Sequence, residues 1–329
     1  MNITILGAGA WGTALAIALS ERHRVALWER TPRQAAELSS ERINSRYLPQ
    51  VRLPEAVSVT ADAAEALRSA ELVLIATPTG ALRETLALLR GVTPLPLIIW
   101  ACKGFEHRSA RLPHQIVIEE MGASVRCGAL SGPSFALEVA QGRPTAVTLA
   151  AGDEGLAREA ARQLHQSTLR VYFTTDVIGV EIGGAVKNVM AIAAGISDGL
   201  NLGLNARAAL ITRGLAEIAR LGVKLGGRPE TFMGLAGAGD LILTCTGDLS
   251  RNRRVGLLLA SGMPLQEILP QIGHVAEGVY SAREVRRIAA EQGVEMPITE
   301  AVCEVLYHGM PASAAVQQLL SRDPREEKS

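Results

Sequence analysis

Residues 3–19 read ITILGAGAWGTALAIAL, and the reading of this stretch decides the first half of the fold. Ile3, Thr4, Ile5 and Leu6 form a candidate strand, and the Ala- and Leu-rich run after Gly12 has the composition of a helix. Between the two stand Gly7, Gly9 and Gly12, spaced G-x-G-x-x-G. The spacing alone is a weak signal; directly after a strand and opening a helix, it is the fingerprint of a dinucleotide-binding turn. Gly7 permits the tight turn, Gly9 lets the backbone approach a pyrophosphate, and Gly12 lets the helix pack close to the strand. The helix N-terminus then presents N–H groups and the positive end of its dipole to the phosphates. The alternative is a tight strand-to-helix turn that holds nothing.

Outward from this unit, strand-like and helix-like segments alternate up to about residue 175. Candidate strands are 3–6, 24–28, 72–76, 97–101, 125–130 and 145–150. Several are continuous apolar runs, such as LVLIA and LIIWA, as strands buried on both faces require. Segments rich in Ala, Leu, Glu and Arg separate the first four, which is the βαβ signature of a parallel sheet with helices on both sides. After residue 176 the strand signal fades into helical stretches at 177–197, 206–222, 251–260, 278–291 and 297–308. The expected fold class is α/β: a Rossmann-type doubly wound sheet over residues 1–176, then an all-α domain over 177–329.

Composition narrows the function. The chain has 329 residues, 48% of them hydrophobic, with 33 Lys plus Arg against 33 Asp plus Glu. A balanced charge gives no global attraction to nucleic acid or to an anionic membrane, so neither partner is expected. Cys102, Cys127, Cys245 and Cys303 are widely spaced, without a C-x-x-C pair, and are expected to be reduced thiols of a cytoplasmic protein. No leader pattern opens the chain, and no run of about 18 uninterrupted apolar residues suggests membrane insertion. No His, Cys and carboxylate cluster has metal-ligand spacing, so no metal is expected.

Cofactor choice is read at the end of the second strand, in LWERTPR. Glu29 lies 17 residues past Gly12, near where an acid would hold an adenosine ribose, as for NAD; Arg30 beside it suits the extra phosphate of NADP. The two signals oppose each other, and a solvated charge pair is the alternative for both.

GGAVKNVMAIAAGI (183–196) is small or apolar on every face, yet contains Lys187. A lysine is almost never fully buried without a partner. By helical spacing it shares a face with Val180, Gly183, Gly184, Ala191, Ala194, Gly195 and Asp198, mostly small neighbours that admit another backbone or a flat ligand. An ammonium there can polarise or protonate a carbonyl; a lysine reaching out to water is the alternative. Asp240 is its expected partner in the empty protein. GLAGAGDLILTCT (234–246) packs glycines around Asp240, and LSRNRRVGLLLASG (249–262) sets Ser250 as a helix cap before Arg251 and Asn252, a good seat for a phosphate. Asp240 as a helix start and the arginines as a solvated face are the alternatives. Lys103 follows a strand, and Gly132, Pro133 and Ser134 form a turn after another; strand ends face the ligand crevice in such sheets. These groups are expected to converge.

Taken together, GAGAWGTALA, SGPSFALEVA, DVIGVEIGGAVKNVMAIAAGISDGL, GLAGAGDLILTCTG, LSRNRRVG, VAEGV and EMPITEAVCEVLYHG resemble the bacterial NAD(P)-dependent glycerol-3-phosphate dehydrogenases. The resemblance implies reduction of dihydroxyacetone phosphate to sn-glycerol 3-phosphate with NAD(P)H, for phospholipid biosynthesis, by a cytoplasmic homodimer. It implies Lys187 as proton donor and acceptor, with Lys103, Gly132, Ser134, Lys187, Asp240, Ser250, Arg251 and Asn252 on the substrate. It implies cofactor contacts at Ala10, Trp11, Arg30, Lys103, Ala136, Arg251, Val275 and Glu277, beside the three glycines. Ala10 stands where some members have serine, so only its backbone can serve. A related dehydrogenase acting on another small phosphorylated or hydroxy-acid substrate, and a non-catalytic NAD(P) sensor, are the competing readings; the second has no need of Lys187.

Overall fold

The computed structural model describes residues 1–273, 276–323 and 326. Its contacts divide the chain into two units: Met1–Lys103 with Arg111–Val177, and Gly104–Ala110 with the residues from Ile178 onward. The short segment Gly104–Ala110 thus belongs with the second unit although the first surrounds it in sequence.

The first unit contains ten strands: β1 (Asn2–Leu6), β2 (Arg24–Trp28), β3 (Ile43–Asn44), β4 (Leu48–Arg52), β5 (Val57–Thr60), β6 (Leu72–Ile75), β7 (Leu97–Trp100), β8 (Cys127–Ser131), β9 (Thr145–Ala151) and β10 (Leu169–Thr174). Eight form one sheet in the order β10-β9-β8-β7-β6-β1-β2-β5, parallel throughout except for the β8–β9 pair. All four residues of β6 and all four of β7 are buried. Helices cover both faces of such strands, which is why they read as unbroken apolar runs. Ile3, Ile5, Leu72, Leu74, Leu97 and Ile99 alternate along three neighbouring strands and pack into one core. Each contributes roughly 1.5–3 kcal/mol through burial. The chain winds outward from β1 in both directions, so the β1/β6 boundary is where the strand order reverses. Ligands of open α/β sheets bind outside the strand C-termini at such a point. The expected α/β class with a doubly wound sheet is the one observed. The antiparallel pair β3–β4 lies outside the main sheet.

The second unit is helical among its described residues. Its longest helix, Val177–Gly199, is apolar enough in length and composition to cross a membrane, yet 89% of its most apolar window is buried within the protein, as in the core helix of a globular unit. Helices Gly203–Lys224 and Glu277–Gln292 pack against it at Gly214 and Gly278, where a Cβ would lie 3.0 Å from Met190 Sδ and 2.5 Å from Asn188 O, and helix Pro297–Tyr307 packs on Glu277–Gln292. Pro297 opens its helix at a position where proline's missing N–H does no harm. The next N–H groups are capped from another helix: Glu217 accepts from Ile298 N at 2.7 Å and from Thr299 N at 3.3 Å, and the Thr299 hydroxyl donates to it at 3.2 Å.

Burial pushes the Glu217 carboxyl up to about 7, against the opposing effect of those hydrogen bonds. A carboxyl raised in the folded state stabilises the fold below its unfolded value, and that contribution is lost as pH rises through the folded one. Between about pH 4.5 and 7 the wild type should therefore lose up to about 3 kcal/mol relative to Glu217→Gln. Thermal unfolding of both proteins at pH 5 and pH 8 checks this; a stability difference that does not change with pH would refute it.

Candidate functional site

In the first unit the glycine turn closes as its spacing requires. Gly7 has φ +110°, a region that favours glycine, and its N–H donates to Trp28 O at 3.1 Å. A Cβ on Gly7 would lie 2.9 Å from Thr77 Cγ2, just past β6, so the turn sits at the reversal of the sheet. A Cβ on Gly12 would lie 1.9 Å from Gly7 O, which enforces close packing of helix Ala10–Leu19 on the strand end. Gly9 is different: a Cβ there would meet nothing within 4 Å. Its backbone borders open space at the N-terminus of a helix whose first turn no side chain caps. These residues fit a dinucleotide pyrophosphate. Ala10 and Trp11 are the first two residues of that helix, both half-buried, and Arg30 is exposed at the end of β2.

A second group in this unit gathers around one carbonyl. Lys103 Nζ donates to Gly132 O at 3.2 Å, and the Ser134 hydroxyl donates to the same oxygen at 3.0 Å. Gly132 has φ +141°, and a Cβ on it would lie 2.9 Å from Val147 Cα. Ala136 begins the short helix that follows. Two hydroxyls that sequence reading missed belong to the same unit. Ser131 Oγ at the end of β8 and Thr79 Oγ1 after β6 are buried without a hydrogen-bond partner. A buried unpaired hydroxyl at a strand's C-terminal end is a signal only a structure provides.

In the second unit Lys187 has its partner. Its Nζ lies 2.5 Å from Asp240 Oδ1 and 2.9 Å from Thr244 Oγ1, with Lys187 7% and Asp240 1% exposed. The Thr244 hydroxyl donates to Asp240 O at 2.6 Å, so its lone pairs are left for the ammonium. Asp240 opens helix Asp240–Thr246 after a widened helical turn, Leu235–Gly239; such π-type turns recur at functional sites. Thr244 stands one helical turn beyond Asp240, a spacing visible in sequence only once the helix is known. Cys245 is a bystander whose thiol burial pushes up to about 12.

The small residues of the lysine helix are filled by backbone rather than by a flat ligand. A Cβ on Gly183 would lie 2.5 Å from Ala236 O, and one on Gly195 would lie 2.0 Å from Arg253 O. These two approaches bring the Asp240 segment and the Arg251–Ala260 helix against the lysine helix. Charge reinforces the second approach, because Asp198 accepts from Arg253 Nε and from Arg207 Nε, each at 2.7 Å. Ser250 caps the helix, its Oγ accepting from Arg253 N at 3.2 Å. Asn252 is buried, accepts from Gly278 N at 3.0 Å and donates to Asn188 Oδ1 at 2.9 Å. Its second amide hydrogen is left to donate. Arg251 is exposed and forms no ion pair among the described residues. Glu277 opens the helix Glu277–Gln292. Val275, the remaining expected cofactor contact, lies outside the described residues. A cavity of about 770 Å³ in this unit is lined by Ile196, Leu210, Ile298, Val305 and Leu319 among others and includes none of the expected site residues.

Comparison with known proteins agrees across the whole chain. The family described as NAD-dependent glycerol-3-phosphate dehydrogenase matches through its N-terminal region at residues 2–157 and its C-terminal region at 176–317. A glycerol-3-phosphate dehydrogenase [NAD(P)+] of Dechloromonas aromatica is 60% identical over 327 residues, covering 99% of both chains. That of Nitrosospira multiformis is 58% identical, also over 99% of each. Among solved structures, glycerol-3-phosphate dehydrogenase from Coxiella burnetii superposes with a TM-score of 0.93 at 43% identity, covering 98% of this chain and 99% of that one.

The glycine contact at 195 generates a direct test. Gly195→Ala places a methyl group against the Arg253 carbonyl and should destabilise the second unit by about 1–3 kcal/mol, lowering its thermal midpoint by several degrees. An unchanged melting curve would mean that the helices part at no cost and that the close approach is incidental.

Proposed function

The chain belongs to the NAD-dependent glycerol-3-phosphate dehydrogenase family, and we propose that it reduces dihydroxyacetone phosphate to sn-glycerol 3-phosphate with Lys187 as the proton donor. The observation that carries this reading is the buried ammonium of Lys187, held between the Asp240 carboxylate and the Thr244 hydroxyl. A structural lysine seldom sits so deep, whereas ketone reduction needs a cation where negative charge develops. The reduced nicotinamide, when bound, supplies the hydride to the carbonyl carbon; Gly7, Gly9, Ala10, Trp11 and Gly12 would hold its pyrophosphate, with Arg30 at the adenosine end.

Lys187 donates to the carbonyl oxygen and passes its proton to the forming alkoxide. Asp240 keeps the lysine charged before the reaction, and Thr244 fixes the direction of the Nζ–H bonds. Arg251 and the free amide hydrogen of Asn252 bind the phosphate, with Ser250 holding the helix turn on which both stand. Lys103, Gly132 and Ser134 complete the substrate's polar contacts. A phosphate held away from the reacting carbon converts binding energy into positioning. The product supplies a phospholipid backbone, and the absence of a disulfide among the described residues agrees with a cytoplasmic location.

The protein would act as a homodimer. Leu204 and Leu320 are each 73% exposed, and Leu202 and Val223 add to the apolar surface that a second copy would cover.

Lys187→Ala should lower kcat by two or more orders of magnitude, while Arg251→Ala should chiefly raise KM for dihydroxyacetone phosphate. Oxidation of NADH and NADPH followed at 340 nm measures both. Near-normal turnover by a folded Lys187→Ala protein would remove the catalytic role, and no turnover by the wild type with either nucleotide would remove the reaction itself. For the dimer, Leu204→Glu should halve the mass found by light scattering; a wild type that already runs as a monomer contradicts this assembly.

A further inference from the structure

A small cavity of about 100 Å³ in the first unit joins three parts of the chain that are distant in sequence: Ala8 of the glycine turn, Glu29 at the end of β2, and Asn44, Arg46 and Tyr47 of the β3–β4 hairpin. The hairpin is fastened there. The buried Asn44 donates from Nδ2 to Ala8 O and to Thr13 Oγ1, each at 2.8 Å, and its Oδ1 accepts from Tyr47 N at 3.2 Å. The turn carrying Arg46 is thereby tied to the turn that faces the dinucleotide.

In this fold the end of the second strand is where the adenosine ribose is read, an acid serving the 2′-hydroxyl and an arginine a 2′-phosphate. Glu29 turns one oxygen back to its own chain, its Oε1 accepting from Thr31 N at 3.0 Å, and Glu37 on the same cavity is paired with Arg33 at 2.8 Å. Arg30 and Arg46 are both exposed, and neither forms an ion pair with a carboxylate among the described residues. Arg46 lies over the Tyr47 ring, 5.1 Å from its centroid, an arrangement that restrains the guanidinium. Two arginines that form no ion pair among the described residues favour a dianion over a hydroxyl.

We propose that Arg46, with Arg30, seats the 2′-phosphate of NADPH, which makes the β3–β4 hairpin a determinant of nucleotide specificity. The proposal rests on the glycine turn being the cofactor's seat, and the ligands of the test separate the two claims. A planar guanidinium binds phosphate through paired charge-assisted hydrogen bonds, which neither alanine nor glutamate can supply.

The test is calorimetric titration of the full chain with adenosine 2′,5′-bisphosphate and with 5′-AMP, neither of which requires turnover. The wild type should bind the bisphosphate at least about tenfold more tightly than 5′-AMP. Arg46→Ala should lose most of that preference while its affinity for 5′-AMP changes less than about twofold, and Arg46→Glu should reverse the preference. Equal losses for both ligands would show that Arg46 only shapes the cavity. An unchanged ratio, or a wild type indifferent to the 2′-phosphate, would also overturn the proposal. Failure of the wild type to bind 5′-AMP at all would instead remove the adenosine site on which it rests.

Discussion

A lysine ammonium taken out of water must meet an anion at close range, and much of the second unit is arranged around that requirement. Desolvating both members of a pair costs several kcal/mol per ion unless geometry and further hydrogen bonds repay it. Here Lys187 meets Asp240 and Thr244 from a neighbouring helix, and Thr244 is itself oriented by a backbone carbonyl. Such closeness is reached only because the lysine helix lacks side chains at the contacts. Gly183 admits the Ala236 carbonyl and Gly195 that of Arg253. The glycines disfavour the helix locally, by about 0.5–1 kcal/mol each relative to alanine, and the close packing they permit offsets this.

The first unit solves a different problem by related means. Gly12 brings a helix onto a strand end, while Gly9 leaves its neighbourhood open. One missing side chain is filled by protein and the other is left for a ligand, although the residues are identical in type. What separates them is what each would touch. A glycine motif alone does not convey this difference, and it explains why G-x-G-x-x-G becomes informative only in its strand–helix setting.

The legible parts of the molecule were those in which one residue type answers one physical demand. The inner strands β6 and β7 are unbroken apolar runs because both their faces are covered, and they were readable at once. The edge strand β10 was missed: it buries only Leu169 and exposes Arg170, Tyr172 and Phe173, so its sequence LRVYFT carries a weaker signal. Strands β3, β4 and β5 were missed as well: a two-residue strand and one containing Pro49 have no periodicity to detect, and the four residues of β5 bury only Val57. In the same way the pairing of Lys187 with Asp240 was foreseeable, since a buried cation calls for an acid. Thr244 required knowledge of a helical turn, and Arg46 required knowledge of where a polar hairpin folds back. Long-range placement of exposed polar residues leaves little trace in local sequence.

The segment Gly104–Ala110 changes the connectivity of the molecule. Because it belongs with the second unit while the residues on either side belong with the first, the chain passes between units after Lys103, after Ala110 and after Val177. Arg108 N donates to the buried Glu284 at 3.3 Å, and Arg287 donates to Arg108 O at 3.1 Å, which secures the excursion within its own unit. The two halves are therefore laced rather than tethered. Severing the chain at any one passage would leave two covalent threads between them, and no single cut could release either half as a continuous, complete polypeptide.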